Sequence, residues 1–73
     1  MGWISVEEKL PEKDTTVDVL VGSVKCKDYF VRRTDIVFNE NELNAGRRKG
    51  FQVPLWESEI VLYWMPLPKL PTN

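Results

Sequence analysis

Arg47, Arg48 and Lys49 stand between Gly46 and Gly50, three cations on a segment whose flanking glycines leave the backbone free to adapt. Arginine offers a planar fork of donors that fits phosphate oxygens in pairs. Arg32 and Arg33 lie earlier in the chain, and Tyr29, Phe51 and Trp56 are near enough in sequence to stack on a base. Trp56, flanked by Pro54 and Glu57, is expected to be partly exposed and to anchor an interface, where tryptophan and arginine are enriched. Arg32, Arg33, Arg47, Arg48, Lys49 and Trp56 are therefore the candidate ligand- or partner-binding residues. A charge run is more often a solvated face than a site, so a wet, unliganded loop is the expectation against which phosphate binding competes.

Catalysis is poorly provided for. With no histidine in the chain there is neither an imidazole base nor a Ser-His or Cys-His nucleophile pair. Cys26 is the single cysteine, which rules out an internal disulfide and a thiolate-rich zinc site. The carboxylate pairs Glu7 with Glu8 and Glu57 with Glu59 read as solvated surface, because nothing in the sequence marks a pocket that would raise a pKa. The expectation is a protein that is not an enzyme, with no catalytic residues, no metal and no cofactor.

The elements that must position these residues are short. At 73 residues the chain has material for one core, so residues 1–73 are read as a single small domain. Ser5-Val6-Glu7-Glu8 has the Ser-x-x-Glu spacing of a capping box, and Pro11 ends any helical turn it starts. Val17-Asp18-Val19-Leu20-Val21 alternates as a strand. Gly22-Ser23 suits a tight type II′ turn, which would set Val21 against Val24, Val19 against Cys26 and Asp18 against Lys27. Arg32 and Arg33 point to opposite faces of any extended segment, which suggests a bulge or bend near them. Asn39 to Gly50 reads as a long polar loop, Phe51 to Val53 as a short strand, and Ile60 to Trp64 as a central strand apolar on both faces and covered on both. Met65-Pro66 is expected to leave the sheet and residues 69–73 to fray. The fold class is mainly β, an antiparallel sheet of about four strands with one short N-terminal helical turn. Trp3, Val19, Cys26 and Trp64 are its expected structural core.

Ten basic and eleven acidic side chains leave a net charge of −1, which advertises neither a nucleic-acid nor a membrane protein. The longest apolar stretch, Ile60 to Leu67, falls well short of the ~20 residues of a membrane helix. No secretory leader is recognisable, and a lone cysteine suits a reducing compartment. Trp3-Ile4-Ser5-Val6-Glu7-Glu8-Lys9-Leu10-Pro11 at one end and Trp64-Met65-Pro66-Leu67-Pro68 at the other resemble a family of short tailed-phage and prophage proteins of unknown function. Members of that family often carry Thr-His before the closing Trp-Met-Pro, where this chain has Leu62-Tyr63. The resemblance implies an accessory protein acting in the cytoplasm of the infected or lysogenic host. It implies no reaction. On this footing the leading expectation is a non-enzymatic binder that acts on a host component by occupancy, its partner a host protein or a small phosphorylated ligand. The rival is a nucleotide or nucleic-acid binder using Arg47-Arg48-Lys49, of a kind that could sequester a small phosphorylated signal, and self-association into a homo-oligomer is a third outcome.

Overall fold

A computed structural model describes residues 2–43 and 46–67. Four strands, β1 (Ile4–Ser5), β2 (Thr16–Ser23), β3 (Phe30–Val37) and β4 (Glu59–Pro66), form one antiparallel sheet in the order β1-β4-β2-β3. The helical content among the described residues is confined to two single 3₁₀ turns, Glu40–Glu42 and Gly46–Arg48. The fold is mainly β, as its β-branched runs require. The expected fraying of residues 69–73 lies outside the described residues.

One face of the sheet carries the core. Val17, Val19 and Val21 of β2, Ile36 of β3, and Val61 and Trp64 of β4 are buried there with Phe38, Phe51 and Val53. The cover is irregular chain. Phe38 and Phe51 form an isolated bridge, their rings 5.1 Å apart and tilted by 57°. This single bridge replaces the strand expected over Phe51 to Val53. Gly50 makes it possible: its φ of +93° is glycine territory, and a Cβ would stand 2.8 Å from Phe38 Cε1 and 3.2 Å from the Asn39 carbonyl oxygen. Trp64 buries its ring and donates its indole N–H to the Lys9 carbonyl at 2.8 Å, which satisfies its one polar atom.

At the N-terminus, Ser5 Oγ accepts from the Glu7 N–H at 3.2 Å, and the Lys9 N–H reaches the Ser5 carbonyl at 3.1 Å. These bonds make one turn without propagating a helix, since Pro11 lies two residues beyond.

The hairpin after β2 differs from the tight turn expected at Gly22-Ser23. β2 runs through both residues, and Ser23 Oγ caps the connection that follows by accepting from the N–H groups of Lys25 and Cys26. Val21 therefore pairs with Val31 and Leu20 with Arg32. Asp18 finds its base in Arg32, and Lys27 lies in the turn. Cys26 is exposed at the hairpin tip, which corrects its assignment to the core. Trp3 is corrected too: it is half-buried, outside the core cluster, and on the opposite face from its neighbour Ile4.

The bend expected near Arg32 and Arg33 occurs one residue later. Val17 pairs with Ile36 and Val19 with Arg33, so Thr34 and Asp35 oppose a single residue of β2, and Asp35 takes a φ of +58°. A second bulge lies in β4 at Leu62, between Tyr63 opposite Leu20 and Val61 opposite Val21. β4 is central, and it continues through Met65 to Pro66, opposite Val17. Its missing N–H costs little there, because the ladder ends at that residue.

Candidate partner-binding site

Arg33 and Glu59 organise the open end of the core face. Glu59 heads β4 and is buried, with 2% of its surface exposed. Its Oε2 accepts from the Tyr29 hydroxyl at 2.6 Å and from the Arg33 guanidinium at 3.3 Å, and its Oε1 accepts from the Trp56 N–H at 2.8 Å. Burial pushes the Glu59 carboxyl up, but the bonds from Tyr29 and Trp56 and the charge of Arg33 outweigh it and hold the pKa below the ordinary carboxylate value. The Tyr29 hydroxyl is pushed up in turn, by its bond to Glu59 first and then by burial and the Glu59 charge, against the opposing charge of Arg33.

The same network fixes Trp56. Its N–H goes to Glu59, and its carbonyl accepts from the Glu59 N–H at 3.0 Å and from the Arg47 guanidinium at 3.3 Å. The backbone is held on both sides while the side chain stays out, so that the residue is 74% exposed. Beside it a hollow of about 250 Å³ is lined by Arg33, Pro54, Leu55 and Trp56. Arg33 also donates to the Pro54 carbonyl, tying the rim to β3.

Of the six candidate binding residues, the structure brings three together: Arg33, Arg47 and Trp56. Arg32 leaves the group, because alternation sends it to the other face of the sheet. There it pairs with Asp18, and its guanidinium carbon lies 5.7 Å from the centre of the Trp3 ring. Arg47-Arg48-Lys49 does not present three cations together. Arg47 bonds to Trp56, Lys49 lies 3.8 Å from the Glu7 carboxylate, and Arg48 is exposed. Among the described residues no cluster of acidic or cysteine side chains has the makings of a metal site.

By sequence pattern Tyr29 is only a stacking ring and Glu59 only solvated surface; the structure makes them partners in one network. The local signal for Glu59 is its place at the head of an apolar strand, three residues after Trp56, where a carboxylate closes a turn onto a backbone N–H. A second hollow, about 410 Å³, is lined by Lys9 to Glu12 with Thr15, Trp64 and Pro66, and it brings no new chemistry.

No described helix is long and apolar enough to cross a membrane. No match is found among curated proteins or solved structures. Residues 2–72, which include both of the tryptophan- and proline-bearing ends, match the model of a family described as a protein of unknown function (DUF551), and the chain belongs to that family.

Proposed function

We propose that this chain is a non-enzymatic binding protein that presents Trp56 to a partner protein and acts by occupying it. One observation carries the proposal: a tryptophan 74% exposed on a backbone clamped by Glu59 and Arg47. Burying an indole removes ~150–250 Å² from water, roughly 4–6 kcal/mol gross. Because the main chain of Trp56 is already fixed, binding need not order the backbone there, which removes one of the costs set against that gain. Arg33, Pro54 and Leu55 give the anchor an apolar rim with one cation, and tryptophan and arginine are the residues enriched at interface hot spots. The resemblance of the two ends to tailed-phage and prophage proteins supports a partner in the host cytoplasm.

Phosphate or nucleotide binding through Arg47-Arg48-Lys49 is the weaker alternative. Two of its three cations are engaged within the domain, and Arg32 is on the far face.

A tagged pull-down from host lysate with the wild type and Trp56→Ala tests the proposal. The wild type should retain a protein that Trp56→Ala loses by at least about tenfold, equivalent to ~1.4 kcal/mol. Equal recovery by both would overturn the role of Trp56. A thermal shift with mono-, di- or cyclic nucleotides at low salt, abolished in Arg48→Ala, would favour the alternative.

A further inference from the structure

β4 is apolar on both faces, yet only one of them is covered. Alternation and the register place Leu20 of β2, Phe30 of β3, and Tyr63 and Met65 of β4 on the outer face, with Trp3 beside them. Leu62 joins them, since the space above Gly22 is filled by its side chain. Phe30 is 53% exposed and the others are half-buried. None of the described elements lies over this face. A sheet that is apolar on both sides is ordinarily covered on both, and apolar side chains gathered on an open face point to an interaction site.

Charge and area indicate the occupant. Among residues in the paired register the charges on this face are Asp18 and Arg32, which form an ion pair. The patch is therefore neutral, which suits neither a polyanion nor a strongly charged protein surface. A second copy of the same face matches it in polarity and extent. Three strands of eight residues at about 4.8 Å spacing, with the Trp3 flank, offer roughly 400–500 Å² of plane, so two copies cover roughly 800–1,000 Å² before side-chain relief is counted. That is the small end of specific interfaces. Pairing through the free edge of β3 fits less well, because the Thr34–Asp35 bulge interrupts that edge.

We propose that the outer face is the interface of a homodimer, two sheets packed face to face about a two-fold axis. The dimer is independent of Trp56, which belongs to the other face.

Sedimentation velocity on the whole chain, from about 1 to about 100 μM, tests it together with thermal melts at both ends of that range. The wild type should sediment as a dimer and melt at higher temperature when concentrated. Phe30→Glu should be a monomer with an unchanged far-UV circular dichroism spectrum, and the milder Phe30→Ser should weaken the dimer at least about tenfold. Val24→Glu, at an exposed position on the hairpin tip, and Trp56→Ala should remain dimers. A wild type that is monomeric throughout overturns the proposal, as does a dimer that persists undiminished in both Phe30 variants. Loss of the pull-down partner in Trp56→Ala with the dimer intact separates this surface from the Trp56 site.

Discussion

Arg32 and Arg33 are neighbours in the chain and end on opposite faces of the sheet, each against a buried carboxylate. The two pairs are closed in different ways. On the core face Glu59 receives a tyrosine hydroxyl, a guanidinium and a backbone N–H, and Arg33 is mostly shielded, its side chain 22% exposed. On the outer face Asp18 is just as buried but is held by Arg32, whose side chain is 58% exposed, with Trp3 alongside. The first arrangement locks a turn and fixes Trp56. The second leaves a charged group neutralised beneath a surface that is still partly wet. Burial of an acid therefore says little by itself: the number of fixed donors separates the fully bonded Glu59 from Asp18, whose buried Oδ1 has no hydrogen-bond partner among the described residues.

The largest expected effect tests that contrast directly. Glu59→Ala leaves the Trp56 N–H, Arg33 and the Tyr29 hydroxyl without their acceptor and should cost ~3 kcal/mol, read as a lower urea midpoint. It should also weaken any partner held by Trp56, since the clamp on that residue is lost. Asp18→Ala frees an arginine that water reaches in the single chain, so at concentrations too low for pairing its cost should be smaller, ~1–2 kcal/mol. If Asp18→Ala proves as damaging as Glu59→Ala, the outer pair is as rigid as the inner one and the comparison fails.

A smaller effect is expected from pH. Both carboxyls are held below their ordinary values of 4.5 for Glu59 and 3.8 for Asp18. For Asp18, burial acts upward first, and the neighbouring Thr34 and Arg32 outweigh it. A lowered pKa in the folded state contributes stability above the unfolded value, and that stability is lost as pH falls through the folded one. Denaturation midpoints should therefore decline below about pH 4.5, and Glu59→Gln should flatten the decline more than Asp18→Asn. Tyr29 has the opposite sense: its raised pKa contributes stability that is lost as pH climbs beyond 10.0. An acid limb unchanged in Glu59→Gln would show that the inner network does not govern it.

Much of the architecture was legible because it depends on short-range pattern. Val17, Val19 and Val21 alternate and are all buried on one face, and the β-branched runs account for the strands. Ser5 and Pro11 account for a turn that does not become a helix. The hairpin register was not legible. Gly22-Ser23 suits a tight turn by composition, whereas Ser23 instead caps a longer one, and Val24 looks like a strand residue although it is exposed. That difference moved Cys26 to the surface and gave Asp18 to Arg32. The role of Glu59 is hidden for a related reason: Arg33 and Tyr29 lie 26 and 30 residues away, and composition carries no information about such distances.

By itself, the sequence determined the chemical repertoire and the fold class. With no histidine and one cysteine in these 73 residues, imidazole catalysis and an internal disulfide have no residues to use, and alternation of β-branched residues makes a sheet. The tertiary structure alone decided which charges meet. Strand alternation separated Arg32 from Arg33, two bulges set the register, and a turn onto Glu59 brought Arg33, Arg47 and Trp56 to one rim. Pairings of that kind depend on where distant segments cross, and crossing points follow from the packing of the whole chain.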